Sequence, residues 1–210
     1  MTFLELCRRV VEDSGVSASG PVSVTGQTGI LQKIVTWVRK AAHDVELYHD
    51  DWLFMRGYKT LPLAQGQQIY PAEPNAEPIR SLSRITIGKQ QVRIVSYDQW
   101  LDRIDEYSDP SKVGTPTAAT LKPDQSLCFY PTPNEPLSVV VQYQKLPVAL
   151  TTNTQIPSVP VQCQEAIVSR ALVYYADYEE DAYRYQRALM EYDEWLRLMT
   201  EEQLPKMRVR

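Results

Sequence analysis

Apolar residues in the C-terminal part of the chain recur three and four positions apart, the spacing of one face of an α-helix. The series is Ile167, Ala171, Tyr174, Tyr178, Ala182, Tyr185, Leu189, Tyr192, Leu196 and Met199. The pattern predicts one helix of ~40 residues, which at 1.5 Å per residue would be ~60 Å long. Because such a helix is longer than a domain of this size is wide, we expect another copy of the chain to cover part of its stripe.

A second apolar stripe with the same spacing lies near the N-terminus. Its residues are Leu31, Ile34, Val38, Ala41, Val45, Tyr48 and Trp52. A shorter helix is predicted before it, since Thr2 and Glu5 have the spacing of a capping box and Ser14-Gly15 suits a helix end. Two helices with apolar stripes of equal period pack along each other, so both ends of the chain are expected to form one helical bundle.

The middle of the chain changes to a period of two, which is typical of β-strands. Leu137, Val139, Val141 and Tyr143 alternate with other residues, and shorter segments of this kind cover residues 58–63, 82–87, 92–95, 118–121 and 127–130. The proline-rich segment 131–136 predicts a hairpin between the last two strands. Ser96 is expected to cap a short helix over residues 97–106.

These patterns together predict an α+β protein. Residues 1–56 and 157–204 form a discontinuous helical bundle with a long C-terminal helix, and residues 57–156 form an inserted β-sandwich-like module of five to seven short strands. Residues 205–210 form a basic C-terminal tail, because Pro205 ends the helix and Lys206, Arg208 and Arg210 follow it.

Composition and charge narrow the possible partners. The chain has 210 residues, 43% hydrophobic and 23% charged, and a net charge of −4, which argues against nucleic acid or an anionic membrane as a binding partner. Neither a membrane span of ~20 apolar residues nor a signal peptide is visible, so we expect synthesis in the cytoplasm. Cys7, Cys128 and Cys163 are far apart and predict buried free thiols.

The sequence gives no support for a catalytic or metal-binding motif. The sequence has neither a phosphate-binding loop nor a Gly-x-Ser-x-Gly elbow. His43 and His49 are six positions apart, which places them on different faces of a helix, so they are poorly placed to bind one metal ion. Asp102 and Asp105 have no apolar neighbours in the sequence that would indicate a catalytic pocket. We therefore expect no enzyme, no metal and no cofactor.

The tyrosine-rich stripe admits two interpretations. The rings fill a core within the chain, or they face another subunit, because tyrosine and tryptophan are favoured at protein interfaces. The residues predicted for a subunit interface are Tyr174, Tyr178, Tyr185, Tyr192, Trp195 and Leu196.

Several segments resemble the head-to-tail adaptor proteins of tailed bacteriophages, which are related in type to tail tubular protein A. They are Thr25-Gly26-Gln27-Thr28-Gly29, residues 50–57, Gly114-Thr115-Pro116, residues 123–127, residues 130–133, and the apolar positions of residues 156–196. The resemblance covers nearly the whole chain. It rests on structural residues rather than on a catalytic motif.

The resemblance implies a virion protein at the head–tail junction. Such proteins form a homo-oligomeric ring, usually of twelve copies, beneath the portal; they join the capsid vertex to a tail or nozzle protein and carry no cofactor. DNA passes through the lumen without specific binding, and no membrane is involved. The residues themselves suggest a further contact: we expect the basic terminus, with Lys206, Arg208 and Arg210, to bind an acidic surface of the portal, the alternative being a frayed chain end. The rival interpretation is a cytosolic helical interaction or scaffold protein that forms no ring, because both stripes pack within one chain.

Overall fold

The computed structural model describes residues 1–16, 19–72, 76–109 and 111–205. It divides the chain into two compact units, one made of Met1–Met55 with the chain from Pro147 onward, the other of Arg56–Leu146. The predicted α+β class is confirmed. The basic residues predicted to contact a portal, Lys206, Arg208 and Arg210, lie outside the described residues.

The described residues contain six α-helices and seven β-strands. The helices are α1 (Phe3–Ser14), α2 (Gly29–Leu47), α3 (Tyr97–Leu101), α4 (Ile104–Tyr107), α5 (Glu165–Tyr178) and α6 (Ala182–Gln203). The strands are β1 (Arg56–Leu63), β2 (Ile69–Tyr70), β3 (Ile79–Ile87), β4 (Gln90–Ile94), β5 (Ala118–Leu121), β6 (Leu127–Tyr130) and β7 (Leu137–Lys145). Two 3-10 turns, Leu53–Met55 and Val161–Cys163, precede β1 and α5.

Helix α1 begins and ends as the sequence predicts. The Thr2 hydroxyl accepts a hydrogen bond from the Glu5 backbone N–H at 3.3 Å, and the Glu5 carboxylate accepts one from the Thr2 N–H at 2.7 Å. This capping box satisfies two amides that have no partner inside the helix. At the other end Gly15 has a φ of 71°, a conformation that glycine adopts without steric cost.

The single C-terminal helix of ~40 residues predicted by its spacing is wrong. The chain leaves helix after Tyr178, Glu180 takes a φ of 55°, and the Asp181 carboxylate caps α6 by accepting from the Arg184 N–H at 3.0 Å. Helices α5 and α6 then pack against each other. The apolar stripe is therefore folded on itself, and its length does not require a second copy.

The core of the helical unit combines residues from both ends of the chain. Phe3, Ile34, Trp52, Ile167 and Met199 are all fully buried in it. The predicted stripes of α2 and of the C-terminal helices thus cover each other over most of their length within one chain, while Tyr48 and Tyr178 remain 54% and 50% exposed. This is the packing on which the rival interpretation relied.

The segment 147–156 belongs to the helical unit, although the sequence assigned it to the β-rich module. Leu150 is buried in the helical core, and its carbonyl accepts a hydrogen bond from Arg39 Nε at 2.7 Å. A single apolar residue in a proline-flanked loop carries no periodicity, so its partner is not visible in the sequence.

The β unit is a curled seven-stranded sheet with the order β1-β7-β3-β4-β5-β6-β2. The hairpin predicted across residues 131–136 is wrong, because β6 pairs with β5 and β2 whereas β7 pairs with β1 and β3. The helix predicted over residues 97–106 is divided into α3 and α4, although Ser96 caps α3 as expected. Strand β2 was not predicted, since two residues are too few to show alternation.

The three cysteines are free and buried, as predicted. Burial raises the pKa of the Cys7 thiol to about 12, so this side chain stays protonated at neutral pH. Burial also raises the pKa values of Cys128 and Cys163. Because the thiolate is the reactive form, these residues act as small apolar core groups.

Glu46 on α2 is a buried carboxyl, only 4% exposed, that accepts a hydrogen bond from the Ser158 backbone N–H at 3.0 Å. Burial raises its pKa, while the bonds from Ser158 and the nearby His43 lower it. The folded protein therefore binds this proton more tightly than the unfolded chain does. The stability that Glu46 contributes is fully present below its unfolded pKa and is lost as the pH rises through the raised value.

We expect Glu46→Gln to stabilise the protein more at pH 8 than at pH 5, because glutamine keeps the acceptor for Ser158 without burying a charge. Thermal unfolding followed by circular dichroism at both pH values measures this difference. Glu12→Gln is the matched control, since its side chain is 70% exposed. A gain from Glu46→Gln that is equal at both pH values, or larger at pH 5, would contradict the assignment.

Candidate assembly surface

The contact line between α2 and α5 is a ladder of cationic and aromatic side chains, which we call the α2–α5 seam. It consists of Lys33, Trp37, Lys40 and Asp44 on α2 and of Arg170, Tyr174 and Tyr178 on α5. The two helices run antiparallel, because the early residues of α2 meet the late residues of α5. Spacings of three and four positions bring each set to one side of its helix.

Each lysine of the seam lies over a tyrosine ring. Lys33 Nζ is 3.5 Å from the centre of the Tyr178 ring, and Lys40 Nζ is 4.2 Å from the centre of the Tyr174 ring. The Trp37 ring lies between them, 5.5 Å from Tyr178. In the part of the chain that the structure describes, neither lysine has a carboxylate partner. The seam therefore presents two positive charges on an aromatic base.

An ion pair between Arg170 and Asp44 lies at one end of the seam. Arg170 Nε contacts the Asp44 carboxylate at 3.0 Å, and Arg170 Nη2 donates to the Tyr174 hydroxyl at 3.0 Å. The Tyr174 hydroxyl donates to the same carboxylate. Burial, followed by the Asp44 carboxylate, raises the pKa of Tyr174 to about 12, so the hydroxyl remains a donor. This network fixes the relative position of α2 and α5.

Part of the seam is open to solvent. Tyr178 is 50% exposed, Lys33 and Lys40 are exposed, and Trp37 is half-buried. Tryptophan and tyrosine side chains dominate the energetics of many protein interfaces. This combination makes the seam a candidate surface for assembly.

The structure separates the residues predicted for a subunit interface. Tyr192 and Leu196 are 6% and 4% exposed and belong to the helical core, so their contacts support the core interpretation. Tyr174 and Tyr178 belong to the seam. Tyr185 is half-buried, and Trp195 is partly buried against the helical core, away from the seam.

A groove opens on another side of the helical unit, between α1 and α6, with α5 as its floor. We call it the α1–α6 groove. Two adjoining cavities of about 490 and 440 Å³ form it, and both are lined by Arg9, Asp13, Leu172 and Glu191. The second cavity is also lined by Val168 on α5 and by Trp195 and Leu198 on α6, which are apolar.

Carboxylates outnumber cations in the second cavity. Asp13, Glu165, Glu191 and Glu194 line it together with a single arginine, Arg9. Arg9 Nε lies 3.4 Å from Asp13 and 3.8 Å from Glu165, and Arg9 Nη1 lies 4.0 Å from Glu12, so one cation serves three carboxylates. Burial raises the pKa of Asp13, Arg9 lowers it, and the neighbouring Glu12 and Glu191 raise it. The second cavity is therefore acidic, whereas Arg184 and Arg187 line the first one.

Sequence reasoning missed the lysines of the seam and the acidic groove. Lys33, Trp37 and Lys40 are four and three positions apart, a helical spacing that the sequence contains. Their position beside the tyrosines becomes visible only when α2 and α5 are known to be antiparallel neighbours.

Sites for small ligands find little support among the described residues. Within those ranges, no group of three or more His, Cys, Asp or Glu side chains is placed to hold a metal ion. His49 Nε2 lies 3.3 Å from the Thr200 hydroxyl, and His43 is exposed on α2. None of the helices described is long and apolar enough to span a membrane.

Comparison with known proteins assigns the chain to a family. A search of curated proteins gave no match. A family model described as SU10 adaptor protein matches residues 1–210, the entire sequence. The protein therefore belongs to the SU10 adaptor protein family, a family of phage head-to-tail adaptors.

Proposed function

We propose that this protein is a structural adaptor of the phage virion that forms a ring beneath the portal, joins the capsid vertex to the tail or nozzle, and continues the DNA channel. The observation that carries the proposal is the match of the adaptor family over the whole chain. The ring holds about twelve copies, as the resemblance implies. Adaptor families of this kind are typically non-enzymatic, so no catalytic step is assigned.

The exposed seam supports self-association. A ring of identical copies uses two different surfaces on each copy, one for each neighbour. Most residues of the apolar stripes are covered within the chain, so the proposed contact uses those that remain accessible. Tyr178 and Lys33 are accessible and are held in place by the packing of α2 against α5. A preorganised surface loses less entropy on binding than a mobile one does.

The basic terminus supplies a separate contact. Lys206, Arg208 and Arg210 follow Pro205, which lies at an exposed position after α6. We assign these residues to an acidic surface of the portal, because charge complementarity steers association and fixes orientation. Deleting residues 206–210 should then weaken portal binding, and more so at low salt; unchanged binding across a salt series would exclude this role.

Removing aromatic groups from the seam tests the proposed ring. We expect the double variant Trp37→Ala, Tyr178→Ala to remain folded and to lose assembly on the cognate portal by about tenfold or more, because interface aromatic side chains often contribute above 2 kcal/mol. Tyr183→Ala is the matched control, since Tyr183 is 77% exposed but lies on α6 outside the seam. Light scattering after size exclusion, with and without portal, measures the assemblies.

The possible outcomes distinguish the adaptor function from that of a helical scaffold that forms no ring. Rings formed by the wild type and the Tyr183 variant, but not by the seam variant, support the adaptor function and the surface. Failure of the wild type to bind portal or to oligomerise on it would favour the helical scaffold that forms no ring. The wild type must be tested with portal, because an adaptor that assembles only on its portal is monomeric alone.

A further inference from the structure

Two surfaces of the helical unit have complementary properties. The α2–α5 seam carries positive charge on an aromatic base, and the second cavity of the α1–α6 groove carries four carboxylates and one arginine beside apolar residues. We propose that the seam of one copy docks in the groove of the next copy. This inference rests on the proposed function, and it names the two surfaces that meet in the ring.

Charge complementarity indicates that the groove of one copy is occupied by the seam of the next copy. Lys33 and Lys40 lie on tyrosine rings without an ion-pair partner in the described residues. Glu194 on the groove is exposed and likewise has no cationic partner within the ranges described. Bringing these groups together would pair charges that each copy alone leaves unpaired. Opposite potentials on facing patches select the partner and suppress the wrong one.

The polarity of the two surfaces agrees with their charges. The second cavity has apolar lining residues that include Trp195 and Leu198 on α6, and Leu198 is 36% exposed. The seam offers the Trp37 ring, 5.5 Å from the Tyr178 ring that lies under Lys33. Apolar groups at the centre of an interface with charged groups at its rim are the usual arrangement of specific protein contacts.

The positions of the two surfaces suit a ring. Leu172 on the groove floor is two positions from both Arg170 and Tyr174 of the seam. Two positions along an α-helix turn by about 200°, so the groove floor and the seam lie on opposite sides of α5. A copy can therefore bind one neighbour on each side, as a heterologous closed assembly requires.

Charge reversal on one surface at a time tests the pairing. The seam variant is Lys33→Glu with Lys40→Glu, and the groove variant is Glu191→Lys with Glu194→Lys. Each should assemble at least about tenfold more weakly than wild type, because like charges then face each other. All four side chains are exposed or half-exposed, so both variants should fold; circular dichroism checks this.

An equal mixture of the two variants gives the decisive result. Each copy of the seam variant presents two acidic surfaces and each copy of the groove variant two basic ones, so the mixture should form alternating rings on the portal. Asp193→Lys is the matched control, since it is exposed beside Glu194 in sequence but about 100° away around α6. It should assemble like wild type.

The remaining outcomes overturn the inference. If wild type assembles but both reversed variants also assemble normally, or if their mixture fails to recover, the seam and groove do not pair and the proposed adaptor function stands. If wild type itself forms no ring on the portal, the proposed function fails and this pairing with it. Mass photometry and negative-stain imaging of portal complexes distinguish these results.

Discussion

Replacing Tyr192 by lysine is expected to unfold the helical unit rather than only to block assembly. Tyr192 is 6% exposed, and the Arg170 guanidinium lies 5.3 Å from its ring centre. Lysine would place an ammonium in the core beside an existing cation, and an uncompensated buried charge costs about 3 kcal/mol or more. Urea unfolding followed at 222 nm should show the loss directly.

Tyr178→Lys is the matched comparison for that variant. Tyr178 stands on the same apolar series but is 50% exposed, and Lys33 lies above its ring. The substitution should leave the unfolding midpoint nearly unchanged while weakening assembly. If Tyr192→Lys stayed folded with unchanged stability, Tyr192 would not be a core residue and the packing of α6 described above would be incorrect.

Replacing Trp52 by alanine is expected to give the other large loss of stability. Trp52 is fully buried, its indole N–H donates to the Val45 carbonyl at 3.0 Å, and its ring stacks on Phe54 at 5.3 Å. Truncating a buried tryptophan to alanine costs about 3–5 kcal/mol, because it removes apolar contacts and leaves a cavity. Thermal unfolding followed by circular dichroism measures the effect.

Trp37→Ala controls for the loss of an indole in general. Trp37 is half-buried in the seam, so truncation should destabilise the fold much less than Trp52→Ala and act chiefly on assembly. Equal losses of stability for the two variants would show that the seam is part of the core. The two variants would thus distinguish a tryptophan that is needed for folding, Trp52, from one that acts chiefly on assembly, Trp37.

The division of the predicted long helix into α5 and α6 changes which residues remain accessible to a partner. A stripe of ~40 residues at 1.5 Å per residue would have left apolar surface that only another copy could cover. The turn at Glu179–Asp181 lets α6 fold back along α5, and the stripe residues Ile167, Ala171, Tyr192, Leu196 and Met199 become core. What remains accessible beside α5 is a smaller, charged and aromatic surface that includes Lys33 and Tyr178.

The sequence by itself determined the type of most elements and several of their ends. The capping box of Thr2 and Glu5 and the alternation from Leu137 to Tyr143 are local patterns, and local patterns decide helix and strand. The family was also visible in the sequence, because a match over residues 1–210 depends on residue order alone.

Only the tertiary structure decided how these elements meet. Apolar spacing continues through Tyr178 and Ala182, so the helical period is unbroken where the chain reverses direction. Asp181, the N-cap of α6, is the local sign that a new helix begins there. Strand alternation likewise specifies which face is buried but not which strand is the neighbour, and β7 pairs with β1 and β3 instead of β6. The seam arises because α2 and α5, distant in sequence, lie antiparallel and bring Lys33 onto Tyr178.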